Sequence, residues 1–337
     1  SNTLRITASR DGGSASLELD FLADYFSGGA GFMESMAHED VSTDSSLTHL
    51  APWVDNGSMV TGWKDDGSGN QRTMYMEARD QELLPDSSFG VAGRLEWSTL
   101  GSPDHITPGA LLSDPLTGKS HLAVTLRTEA TDPNPSVQIL RLNPDGSTDV
   151  GWIPAPGPDA PREVVDLATH PGGGLVLLAT RAAGDLAIWR ILETPFDLDG
   201  SFGTGGMASW SVSTDITPKA LAVRDDGRIL VSGTAHNPMA AATDMLLVQW
   251  NSDGTLDTGF GTQGVLRNFG SFQNDVVGTP EALAIDAQDR ALVVGRLAAA
   301  PGASHPSPAF WRCDASGQPD LTWTGNNSNP YAGTGLV

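Results

Sequence analysis

The chain has 337 residues, with 39 Gly, 22 Pro and 7 % aromatic side chains; 41 acids against 19 bases give a net charge of −22. Such acidity excludes a nucleic-acid-binding surface and docking on anionic lipid, both of which need a basic face. No stretch is apolar enough to span a membrane as a helix, and the single Cys313 excludes an internal disulfide or a cysteine-based metal site.

Short strands joined by turns are predicted throughout, because long helical patterns are missing and Gly and Pro are abundant. "LRITASR" and "SASLELDF" read as two strands, the third and fourth of an incomplete unit. Five units follow, each with two strands around a turn and then a third strand. They are "LAPWVDNGSMVTGW" with "TMYMEARD", "GALLSDPLTGKSHLAVTL" with "VQILRLNPDG", "VVDLATHPGGGLVLLA" with "LAIWRILE", "PKALAVRDDGRILVSG" with "MLLVQWN", and "EALAIDAQDRALVVG" with "PAFWRCDASG". In the clearest unit "DDG" makes the hairpin turn. On the last of these strands the period of two predicts Arg141, Arg190, Gln249 and Arg312 facing out, with Leu142, Ile191, Trp250 and Cys313 facing in. "VLRNF", after the glycine-rich turn, is expected to open the next unit.

That turn recurs. Phe89, Trp152, Phe202, Phe260 and Trp323 follow one another at intervals of 63, 50, 58 and 63 residues. Each has an Asp three residues earlier: Asp86, Asp149, Asp199, Asp257 and Asp320. A weaker copy surrounds Phe26. In "LDTGFGTQG", Gly261 and Gly264 suit positive φ, Asp257 can hold backbone amides, and Phe260 is expected to pack between neighbouring units. Trp97 and Trp210 follow a motif glycine by four residues and read as further packing between units. Trp63, beside a polar loop, is the better candidate for a lectin-like platform.

Four short antiparallel strands repeated at this period predict an all-β fold, a β-propeller. A β-solenoid has shorter rungs. The expectation is a single domain over 1–337, with units ending near 26, 89, 152, 202, 260 and 323 and a closing segment over 324–337. That makes five whole blades plus a composite sixth formed by the two termini. "ALAVRDDGRILVSG" with "LLVQWNSDGTLDTGFGTQG" resembles the delta-60 repeat of bacterial secreted and surface proteins, closely over 218–264 and more loosely over 90–217 and 265–323. The resemblance implies propeller-like arrays at an extracellular or cell-surface location. It brings no catalytic residues.

Function is expected where the chain varies. "WKDDGSGNQR", "RTEATDPNPS", "RAAGD", "AHNPMAAATD" and "RLAAAPGASHPSP" differ in length and composition, and such loops on a rigid scaffold usually carry binding. One regular feature lies among the variable segments. Asp44, Asp104, Asp159, Asp215 and Asp275 recur ahead of the "ALAV"-type strand at intervals of 60, 55, 56 and 60 residues. They are expected to anchor their loops to backbone amides. The alternative is an acidic ring at a tunnel mouth that attracts a cation such as calcium. "NPDGSTD" and "NSDGTLD" lack the ligand spacing of a calcium loop and read as turns. His38, Glu39 and Asp40 read as a solvated loop. No nucleophile elbow, phosphate loop, dinucleotide fingerprint or zinc spacing occurs, and no cofactor is expected. The resulting expectation is a non-enzymatic module that binds a protein or glycan; a hydrolase or lyase with its site at the propeller mouth is the alternative.

Overall fold

Strands dominate the computed structural model. It describes residues 2–10, 13–21, 45–65, 72–97, 105–114, 116–128, 132–211, 216–237, 242–267, 278–297 and 307–320. The chain divides into two compact units, 1–153 and 154–337.

In the first unit, β1 (Asn2–Arg10) and β2 (Gly13–Phe21) pair as a hairpin. The first four-stranded sheet is β3 (Ser45–Pro52), β4 (Ser58–Asp65), β5 (Arg72–Arg79) and β6 (Arg94–Trp97). The second is β7 (His105–Ser113), β8 (Ser120–Arg127), β9 (Ser136–Leu142) and β10 (Thr148–Trp152). The second unit begins with β11 (Glu163–Thr169), β12 (Leu175–Thr180), β13 (Leu186–Ile191) and β14 (Met207–Trp210). Next come β15 (Ile216–Val223), β16 (Ile229–Asn237), β17 (Ala242–Trp250) and β18 (Val265–Arg267). Last among the described residues is a three-stranded sheet of β19 (Gly278–Ile285), β20 (Ala291–Leu297) and β21 (Ser307–Cys313). Every sheet is an antiparallel meander in chain order.

Two expectations change here. "VLR" does not open a new unit: β18 pairs with β17, placing Val265 opposite Val248. The glycine-rich turn therefore links strands three and four of one sheet, and each four-stranded sheet ends after its short fourth strand. Arg190 and Gln249 do not face out either. Both are buried, at 4 % and 0 % exposure, because the loop between strands three and four folds back over them. The N–H of Gln249 donates to Gly264 O, and its carbonyl accepts from Asp257 N; Arg190 is held in the same way by Gly206 and Asp199. A polar residue there must find side-chain partners as well.

Each first strand carries a β-bulge, at Thr48, Gly109, Val165, Lys219 and Glu281. Pro108, Pro218 and Pro280 stand directly before three of them, where a missing N–H interrupts no regular ladder. Gly295 lies opposite Pro280, and a Cβ there would come within 2.1 Å of Thr279 O. The backbone thus approaches too closely for any side chain.

The repeated turn is a joint between consecutive sheets. Phe260 N donates to Asp257 O, and Gly264 N donates to Phe260 O. The same pair of bonds closes the turns at Phe89 and Phe202. Gly261 N then crosses to the next sheet and donates to Ser316 O, as Gly203 N does to Asp253 O and Gly90 N to Asp145 O. Phe260 is fully buried among Leu230, Leu247, Ala291, Val293, Trp311 and Cys313, which come from both of the sheets it joins. Phe89 and Phe202 occupy the corresponding places in their clusters. In the second sheet this turn is absent. β10 follows β9 directly, and the buried Trp152 sits within the strand opposite Ile139. Trp323 lies outside the described residues.

Candidate functional site

The two edges of these sheets differ in kind. On one edge, the turns between strands one and two are short and nearly constant. Five residues separate Pro52 from Ser58, Thr169 from Leu175, Val223 from Ile229 and Ile285 from Ala291, and six separate Ser113 from Ser120. The glycine-rich turns share this edge. On the other edge, the connections between strands two and three range from four residues, after Asn237, to nine, after Leu297. The links from each fourth strand to the next first strand range from five residues, after Trp210, to ten, after Arg267.

The constant edge is chemically occupied. Asp145 accepts from Ser147 N and Oγ, Asp253 from Thr255 N and Oγ1, and Asp314 from Ser316 N and Oγ, so these carboxylates hold their own turns. Hydrogen bonding, the hydroxyl first and the amide second, holds the Asp145 and Asp253 carboxyls below the usual carboxylate pKa; the Asp314 pKa is lowered too, although burial, the largest single influence on it, pushes it up against its hydrogen bonds. Asp257 accepts from Gly259 N at 3.0 Å and Gln249 Nε2 at 2.7 Å. Asp86 accepts from Ser88 and from Trp53 Nε1, and Asp320 accepts from Arg312 Nε at 2.8 Å.

Behind this edge, polar side chains tie one sheet to the next. Arg224, 1 % exposed, donates through Nε to Gln249 Oε1 at 2.8 Å and through Nη1 to Asp289 Oδ1 at 2.6 Å. His170 makes the preceding tie, its Nε2 lying 3.2 Å from Gly227 O. Asp166 follows the bulge of β11. Its carboxylate accepts from its neighbour Leu167 N and, across to β15, from Leu221 N, both at 2.8 Å. Burial pushes the Asp166 carboxyl up to about 6, against the pull of those two N–H groups. His49 holds the same place in β3, and burial lowers its pKa against the opposing hydrogen bond with Gly109. None of these ties has a periodic signal in the sequence, since His49, Ala110, Asp166, Ala220 and Ala282 share one position.

Of the sequence-predicted ring positions, one is described, in the link ahead of β11. Asp159 is the member within the described residues; Asp44, Asp104, Asp215 and Asp275 lie outside them, as do His38, Glu39 and Asp40. The Asp159 carboxylate, 67 % exposed, pairs with Arg181 Nη1. Arg181 is also gripped by Asp185, with Nε to Oδ1 at 2.7 Å and Nη2 to Oδ2 at 2.5 Å. Asp159 is thus tied to a guanidinium on the loop between β12 and β13. Among the described residues no three His, Cys, Asp or Glu side chains converge to hold a metal ion. Trp63 is half-buried in β4, opposite Ser46 and Met74.

Residues 224–260 match a family described as a domain of unknown function (DUF5122) beta-propeller. No curated protein sequence matches the chain. Among solved structures, the β-propeller domain of the Trilobed protease from Pyrococcus furiosus is 9 % identical, covers 84 % of this chain and 72 % of its own, and has a TM-score of 0.44. Puromycin hydrolase is 12 % identical over 85 % of this chain but 39 % of its own, with a TM-score of 0.48. A polysaccharide lyase, an ulvan lyase, is 9 % identical over 82 % of this chain and 72 % of its own, with a TM-score of 0.47. The fold is all-β, built of antiparallel four-stranded sheets in the manner of a propeller. The activities of those proteins are not carried over.

Proposed function

We propose that the protein is a non-enzymatic binding or assembly module of a bacterial secreted or cell-surface protein, and that it meets its protein or glycan partner on the variable edge. The supporting observation is the contrast between edges: on one side, strand-one-to-strand-two turns of five or six residues together with a glycine-rich turn that recurs with the same backbone hydrogen bonds at Phe89, Phe202 and Phe260, and on the other, connections of four to ten residues with no shared pattern. Constant turns whose carboxylates are spent on backbone amides build a scaffold, and variable loops on a scaffold build specificity. In this reading the repeats are of the delta-60 kind. Five whole blades and a sixth shared by the termini form one propeller, and Asp44, Asp104, Asp159, Asp215 and Asp275 anchor loops, without a resident cofactor.

The test is a glycan array and a panel of purified surface proteins probed with the whole chain and with loop-shortened variants over 238–241 and 298–306. Binding that disappears on shortening, at an unchanged melting temperature, supports the proposal. Binding indifferent to both loops overturns it. Turnover of a polysaccharide or ester by the same preparation would replace it with the hydrolase or lyase alternative.

A further inference from the structure

A groove runs along the outer strands of two consecutive sheets, β14 and β18, and reaches their last residues, Trp210 and Arg267. It encloses about 440 Å³ and is lined, among the described residues, by Trp210 of β14 and by Thr262, Gln263, Val265, Leu266 and Arg267 around β18. The indole of Trp210 packs partly on the core. Over its ring lies the Arg267 guanidinium, 5.6 Å from the ring centroid.

Three features make this groove more than a seam. First, Arg267 is exposed and has no carboxylate partner among the described residues. The comparable contact in the first sheet, Arg94 over Tyr75 at 4.5 Å, is closed by Glu77 at 3.0 Å and Glu96 at 2.8 Å. In a chain of net charge −22, a guanidinium that no described carboxylate neutralises, stacked on an aromatic face, is a fork ready for an incoming carboxylate. Second, Gln263 has φ 54°, in the left-handed region. The corresponding turns hold Ala92 at φ 53° and Gly205 at φ 62°, so the backbone needs no amide there. Glutamine keeps the strained conformation and adds an exposed donor and acceptor at the groove. Third, the Thr262 hydroxyl stands beside it on an otherwise apolar wall of Val265 and Leu266.

We infer that this groove is a binding subsite for an acidic sugar. Arg267 takes the carboxylate as a bidentate pair, Gln263 and Thr262 meet ring hydroxyls, and the indole edge with Leu266 receives the C–H face. The inference goes beyond the loop-edge reading: it rests on side chains of β14, of β18 and of the turn ahead of β18, and its test uses variants of Arg267 and Gln263 and not of the loops.

The experiment is calorimetric or NMR titration of the whole protein with methyl α-D-galacturonide, with methyl α-D-galactoside as the neutral control and acetate as the bare carboxylate. Saturable binding of the galacturonide is expected, at least tenfold tighter than either control. Arg267→Met, at an exposed position, should abolish the preference at an unchanged melting temperature. Gln263→Gly should weaken binding while leaving the melting temperature equal or higher, a combination that a purely structural role would not produce. Absence of saturable galacturonide binding, equal binding of the galactoside, or undiminished binding by Arg267→Met would each overturn the inference.

Discussion

Gly254 stands against Phe202. A Cβ on Gly254 would lie 2.7 Å from Gly203 N and 3.2 Å from the Phe202 ring, and its φ is +86°. The turn after β17 is therefore shaped by the aromatic of the preceding sheet. Gly317 meets Phe260 in the same way, with a would-be Cβ 3.0 Å from the ring.

Gly254→Ala is accordingly expected to cost more than Gly205→Ala. Gly205, at φ +62°, has open space where its Cβ would go, so its substitution bears only the left-handed penalty, about 1–2 kcal/mol. Gly254 adds a clash with backbone that cannot swing aside. Urea denaturation of the two variants decides it, and equal midpoints would refute the joint.

Phe260→Ala should lose roughly 3–5 kcal/mol, the usual range for a buried aromatic. The ring has 0 % exposure and touches residues of two sheets, so neither sheet can close the cavity alone. An unchanged denaturation midpoint would sink the assignment.

Gln249→Leu should destabilise by about 2–4 kcal/mol. It orphans the buried Arg224 Nε and removes a donor from Asp257. Arg224→Met combined with Gln249→Leu should cost less than the two separately, because the first change removes the charge that the second strands. Strict additivity in the double-mutant cycle would show that the two side chains do not interact.

Asp166 makes stability fall as pH rises from about 4 to about 6. Its folded pKa lies above the ordinary 3.8, so between the two values the folded state binds more protons than the unfolded one. Ionisation of this buried carboxyl then opposes folding by up to roughly 3 kcal/mol, fully expressed above pH 6. Asp166→Asn should flatten that interval of the stability profile. Persistence of the full slope in the variant would assign it to other groups.

Removing residues 1–21 is expected to lower the melting temperature sharply if the amino-terminal hairpin completes a blade, since its loss would expose strand edges elsewhere. Melting identical to the full chain would mean that the hairpin supports nothing else.

The repeated strands, the hairpin turns and the buried aromatics of the joints were legible in the sequence, because period-two alternation and turn chemistry are local and recur at each copy. Phe89, Phe202 and Phe260 declared themselves by spacing, and Gly261 and Gly264 by their place in the turn. Strand pairing was not legible. "VLR" is three residues long and carries no signal that it belongs behind β17 and not ahead of β19; the ladder with Leu246–Val248 decides it. The same fold-back buries Arg190 and Gln249, which alternation alone places outside. Asp166, Arg224 and the Trp210–Arg267 groove depend on residues of neighbouring sheets meeting across 55 to 65 positions of chain. Composition and periodicity register which faces are apolar. Which polar atoms meet across sheets is set by how the sheets pack, and that is a property of the tertiary structure alone.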